Sequence, residues 1–193
     1  MLLILDEAQT GVGRTGMMFA CERDGVTPDI LTMAKGLTNG AVPMGAVAAS
    51  RDVHDTIIDK SPAGIEFLHG YTYSGHPLAA AAAIATLKLY EDEGTFAHAA
   101  SLAKAWEEAA HGLRDIPTVI DIRNLGLVAG IELAPREGAP GARAMEAFHR
   151  AFDAGLLIRV TGDIIALSPP LIVSEAQIHE IFDKLATVLR QTA

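Results

Sequence analysis

Met1-Leu2-Leu3-Ile4-Leu5-Asp6-Glu7-Ala8-Gln9-Thr10-Gly11-Val12-Gly13-Arg14-Thr15-Gly16 opens the chain, and its reading decides the fold. The apolar run Leu2 to Leu5 ends abruptly in Asp6, the pattern of a strand buried on both faces that delivers one carboxylate at its C-terminal end. Open α/β sheets bind their ligands at that end. A second run, Ile30-Leu31-Thr32-Met33-Ala34, lies between Pro28-Asp29 and Gly36 and delivers Lys35 in the same way. An acid and an amine are therefore expected on one rim.

Two superficial matches lead elsewhere and are set aside. Gly11 to Gly16 satisfies G-x-G-x-x-G, the mark of a dinucleotide site. However, five residues separate the strand from Gly11, and Asp24-Gly25 and Pro28-Asp29 interrupt any long helix after Gly16. Asp6 and Glu7 are adjacent carboxylates, yet neighbours on a strand point to opposite faces and cannot share a proton.

Three segments carry a resemblance: Asp-Glu-x-x-Thr-Gly-x-Gly-Arg-Thr-Gly at 6 to 16, Pro-Asp-x-x-x-x-Ala-Lys-Gly-Leu at 28 to 37, and Gly-Tyr-Thr-Tyr-Ser-Gly-His-Pro at 70 to 77. In this order they resemble the class III pyridoxal-phosphate aminotransferases, and within them the omega-transaminases, including the β-alanine:pyruvate type. The resemblance runs along almost the whole chain and implies the α/β fold-type I of pyridoxal-phosphate transferases. It also implies transfer of an amino group from an ω-amino acid or primary amine to pyruvate or a similar keto acid, with pyridoxal 5'-phosphate as cofactor.

The chemistry explains the residue types. A lysine that condenses with an aldehyde must be partly desolvated to offer a neutral amine, and it later moves a proton between carbons. Lys35 matches that position. A carboxylate beside a pyridine nitrogen keeps the ring protonated and electron-withdrawing. Asp6 matches that one. The resemblance further implies that Gln9 bonds the cofactor's phenolic oxygen and that Ala8, where relatives often carry Val, packs on the ring. Thr72 would reach the phosphate held by a neighbouring subunit, which implies a homodimer.

Composition bounds the alternatives. Half of the 193 residues are apolar, and one cysteine, Cys21, permits no intramolecular disulfide, in keeping with a reducing cytoplasm. Cys21 reads as a packing residue. No run of about 18 apolar residues and no basic N-terminal region is present, so neither membrane insertion nor secretion is expected. A net charge of -9 argues against nucleic acid. The seven histidines show no ligand spacing, so no metal is expected.

Along the chain, a strand at 46 to 49, a helix from Arg51 to Asp59 and the loop Lys60-Ser61-Pro62-Ala63-Gly64 precede a long buried helix from Pro77 towards Gly94. A helix at 95 to 113 carries the stripe Leu102, Ala103, Trp106, Ala109, Ala110 and Leu113. Residues 1–95 read as the C-terminal part of a large cofactor-binding domain. Residues 96–193 read as a small α+β domain: strands at 119 to 123, 127 to 133, 156 to 160 and 164 to 167, a helix at 142 to 154, and a last helix opened by the capping box Ser174-Glu175-Ala176-Gln177.

Leu156-Leu157-Ile158-Arg159-Val160-Thr161-Gly162-Asp163 resembles the omega-transaminase segment whose arginine grips a substrate carboxylate, which a guanidinium does bidentately. Arg159 is the candidate, its commonplace alternative being an arginine paired with a surface acid. Ornithine-type relatives carry an arginine just before Pro-Pro, where this chain has Ala166, Leu167 and Ser168.

The resemblance implies a C-terminal portion, without the family's Gly-Ser phosphate loop or its aromatic residue that stacks on the cofactor. A cut sheet edge exposes apolar side chains and unpaired backbone groups. Self-association and weak or absent transamination are therefore expected of the isolated chain. Two other readings remain: a same-fold aminomutase or decarboxylase, and a non-catalytic remnant that binds only other subunits.

Overall fold

The computed structural model describes the chain except residues 63–66, 68 and 193. The loop read over 60 to 64 therefore falls partly outside the described residues. The chain divides into two compact units, Met1–Phe96 and Ala97–Ala193.

Unit 1 begins with β1 (Ile4–Asp6), β2 (Ile30–Met33) and β3 (Ala46–Ala49), followed by α1 (Arg51–Asp59) and α2 (Pro77–Asp92). β1 and β2 run parallel, with Asp6 opposite Thr32, and β3 is antiparallel to β2. Ser50 starts α1 by accepting from the Val53 amide, and Pro77 starts α2 at its first helical position, where a missing N–H costs nothing.

Two expectations are corrected here. β1 is not buried on both faces: Leu2, Leu3 and Ile4 are exposed, Ile4 by 59%. Among the described residues it is an edge strand, with β2 on one side only. Nor is α2 buried. Only Ala79, Ala83 and Thr86 are covered, while Leu78, Leu89 and Ile84, the last at 69%, face solvent. Apolar composition states a preference for burial, and the described residues of unit 1 hold no surface to satisfy it on that side.

The isolated chain is accordingly expected to self-associate, since a monomer rarely leaves so much apolar surface open. Light scattering should give a mass well above 20.3 kDa, and Ile84→Glu on α2 should lower it. A clean monomer of unsubstituted chain would sink this expectation.

Unit 2 is the opposite case. It holds most of α3 (Thr95–His111), then β4 (Val119–Leu125), β5 (Val128–Leu133), α4 (Ala142–Asp153), β6 (Arg159–Thr161), β7 (Ile164–Leu167) and α5 (Glu175–Gln191). The antiparallel sheet has the order β4-β5-β7-β6. β5 and β7 bury every second residue, as strands with one covered face do. Those faces meet α3, α4 and α5 in one cluster around Trp106, which is fully buried and meets Phe182 edge-on at 4.9 Å. The Ser174–Gln177 capping box forms as expected.

β6 starts at Arg159 rather than at 156. Gly155 takes the left-handed conformation after α4, and the Leu156 amide donates back to Ala151 at 2.8 Å, closing the helix end. Leu156 serves the helix end and is not free to pair in the sheet.

Candidate active site

Asp6 stands where β1 ends. Its Oδ1 accepts from the Ala8 amide at 3.0 Å and from the Thr32 hydroxyl at 2.8 Å, the latter across the β1–β2 pair. The Ala8 amide first, then the Thr32 hydroxyl and the charge of Lys35, hold this carboxyl below its ordinary range, against a smaller opposing effect of burial. Asp6 is thus an ionised, exposed and oriented carboxylate.

Lys35 follows β2 in a short 3-10 turn, Lys35–Thr38, and its Nζ lies 3.5 Å from Gln9 Oε1. The structure therefore brings Asp6, Gln9 and Lys35 together at the C-terminal ends of two parallel strands. The desolvation anticipated for Lys35 is not found: its side chain is exposed, because the open side of β1 leaves the rim uncovered.

Strained backbone occurs in the motif loops. Among the described residues, those other than glycine with positive φ are Val12, Lys35, Asn39 and Tyr71, at 58°, 48°, 51° and 50°. Each lies in or beside one of the three motif segments. Such conformations cost roughly 1–3 kcal/mol and persist only where surroundings impose them. At Lys35 the imposing neighbour is close: a Cβ on Gly36 would come within 2.9 Å of Val12 Cβ, so only glycine fits between the lysine turn and the glycine loop.

Glu7, which the sequence reading used only to dismiss a carboxylate pair, anchors that loop. It is 4% exposed, on the side opposite the exposed Asp6, and accepts from the Thr10 hydroxyl and, at 2.8 Å, from the Cys21 amide. Burial opposes its ionisation, but the donors of Thr10, Cys21 and Ala20 together hold its carboxyl below the usual range. Burial and Glu7 push the Cys21 thiol up, which suits a packing residue.

A lowered folded pKa contributes stability in full above the ordinary glutamate value, and loses it as pH falls through the lowered one. Glu7→Ala should destabilise unit 1 by about 2 kcal/mol near neutrality, because two half-buried donors lose their acceptor. Glu7→Gln, which titrates nowhere, should flatten the acid limb of a thermal-unfolding profile. An unchanged limb would remove Glu7 from this role.

Thr72 is exposed in the turn before α2, where the Ser74 amide donates to Tyr71 at 2.9 Å. No hydrogen bond among the described residues joins it to Asp6, Gln9 or Lys35. Arg159 lies in unit 2 on the edge strand β6, exposed and opposite Ala166. Among the described residues no acid pairs with it, so the commonplace role of a surface ion pair is not taken up. Two concavities of unit 2, one beside His111 and one beside Pro169 and Pro170, hold none of the expected site residues. No helix among the described residues is long and apolar enough to cross a membrane.

Known proteins resemble this chain along nearly its whole length. The omega-aminotransferase of Caulobacter vibrioides is 60% identical over 98% of this chain, which covers 43% of that protein. The omega-amino acid–pyruvate aminotransferase of Pseudomonas putida is 42% identical over 98% of the chain, again 43% of that protein. A solved thermostable omega transaminase from Pseudomonas jessenii superposes with a TM-score of 0.93 at 36% identity, over the whole chain and 44% of its own. The chain thus spans less than half the length of these relatives. The family model for class-III aminotransferases matches residues 1–189, and the chain belongs to that family.

Proposed function

We propose that this chain is the lysine-bearing part of a pyridoxal 5'-phosphate-dependent ω-transaminase, which passes an amino group from an ω-amino acid or primary amine to pyruvate or a similar keto acid. The observation that carries this is the cluster of Asp6, Gln9 and Lys35 on one rim. Unit 1 is read as the C-terminal part of the cofactor-binding domain, and unit 2 as the small domain.

The donor set fits the cofactor. Asp6, ionised and held from two sides, would face a protonated ring nitrogen. Gln9 turns its oxygen to the Lys35 amine, which leaves its amide N–H groups to donate to a phenolic oxygen. When bound, pyridoxal phosphate supplies an aldehyde that condenses with amines and a pyridinium ring that withdraws electrons from the attached carbon. The Lys35 Nζ would hold that aldehyde until a substrate amine takes its place, and the freed amine would then accept and return the proton of the substrate carbon.

Thr72, exposed on its turn, would reach a phosphate in a second copy of the chain, which makes the working form a homodimer. Arg159, which pairs with no acid among the described residues, would hold a substrate carboxylate through its two parallel N–H groups. The lone Cys21 supports a cytoplasmic setting.

A second reading is favoured by the exposed Lys35 and the open apolar surface of β1 and α2: a remnant that binds other subunits without catalysis. One experiment separates the two. Adding pyridoxal phosphate should give a visible band, and borohydride should then fix the label on Lys35. Label spread over Lys60, Lys88, Lys104 and Lys184, or no band, would leave the remnant.

A further inference from the structure

The Tyr90 hydroxyl, near the end of α2, donates to the Gly36 carbonyl at 2.9 Å across 54 residues of sequence. That carbonyl belongs to the peptide group whose N–H, on Leu37, donates to Ala34 at 3.1 Å. The same peptide is therefore gripped at both ends, and the grip encloses Lys35. On the other face of Gly36, Val12 leaves no room for a side chain. The Tyr90 ring itself is fixed against Phe96, with centroids 5.1 Å apart.

The donor is durable. Burial pushes the Tyr90 phenol above its ordinary range, and the charge of Arg14 offsets this only in part, so the hydroxyl keeps its proton across neutral pH. Lys35 has φ 48°, a conformation that a lysine leaves readily unless its neighbours are held. The Gly36 peptide is the neighbour whose rotation would release it.

We propose that Tyr90 is a positioning residue for Lys35, fixing through the Gly36 carbonyl the left-handed turn that presents the lysine amine. This rests on the reading of Lys35 as the residue that bonds the cofactor. Tyr90 touches no reacting atom in this scheme. It acts through backbone alone.

Tyr90→Phe keeps the ring and deletes the donor. Hydrogen exchange by peptide mass spectrometry should show residues 34 to 40 exchanging roughly fivefold faster, as expected for one lost hydrogen bond. Peptides of β2 and β3 should not change. Fixation of pyridoxal phosphate on Lys35 by borohydride, measured against Lys60, Lys88, Lys104 and Lys184, should fall by a similar factor. Unchanged exchange at 34 to 40 overturns the proposal, and so does an equal rise across β2 and β3, which would make Tyr90 a general support of unit 1. Faster local exchange with unchanged fixation overturns it as well. If the unsubstituted chain shows no preference for Lys35, the parent reading fails and takes the proposal with it; if only the variant's response is absent, the parent reading stands.

Discussion

Lys35→Gly is expected to abolish fixation of pyridoxal phosphate at this position while leaving unit 1 no less stable than before. The two halves of this result come from different properties of the same residue. Loss of the amine removes both the group that would take the aldehyde and the group that would carry the proton, and proton transfer alone is worth about 10²- to 10⁴-fold in rate. The backbone effect runs the other way. Lys35 has φ 48°, where an L-residue costs roughly 1–2 kcal/mol and glycine does not. Glycine's greater freedom in the unfolded chain returns part of that gain, about 0.4–1 kcal/mol. Lys35→Ala should lose fixation equally, without the relief of strain. Peptide mapping after borohydride, paired with denaturant unfolding of the three proteins, reads both quantities. A visible band and total fixation undiminished in Lys35→Gly would remove Lys35 from the chemistry, and a marked loss of stability would recast it as a structural residue.

A residue kept in a costly conformation beside an acid and an amide is what a functional lysine would look like, and the local sequence around it was legible for good reason. Asp6 and Lys35 each follow an apolar run, and the register that sets Asp6 opposite Thr32 brings those ends together. The start of α1 at Ser50, the start of α2 at Pro77 and the capping box of α5 were readable because they depend on residues within three or four positions. Nothing local announces Tyr90, whose partner is 54 residues away, or Glu7, whose Cys21 partner is 14 away. The open edge at β1 was expected from the resemblance, but the exposure of α2 was hidden for another reason: hydrophobic pattern tells which face wants cover, not whether a covering element exists. The shift of β6 to Arg159 came from a competition over one residue, Leu156, that the helix end won. The roles of Gln9, Thr72 and Arg159 came from family resemblance and not from pattern.

Asp6→Asn tests the other half of the cluster, and its expected effect is chemical with little structural cost. The asparagine oxygen can still accept from the Ala8 amide, and its length matches, so the turn after β1 should hold. What disappears is the negative charge. In the unsubstituted chain Asp6 stays ionised well into acid, because the Ala8 amide, the Thr32 hydroxyl and Lys35 all favour its charged form. A ring nitrogen beside it would therefore keep its proton to higher pH than it would alone, by about 1–3 units for an adjacent opposite charge. Asparagine forfeits that. Each unit lowers the protonated share by about tenfold on the alkaline side, and the rate of amino transfer should fall in proportion. The direct readout needs no turnover: after borohydride fixation on Lys35, the pH titration of the label's absorption should move down in Asp6→Asn by about 1–3 units. Asp6→Glu should fall between the two, since its longer arm keeps the charge but cannot accept from both Ala8 and Thr32 in the same place. A titration that does not move would mean that Asp6 shapes the turn and has no electrostatic hold on the cofactor, and the rim would then be a lysine site without its acid.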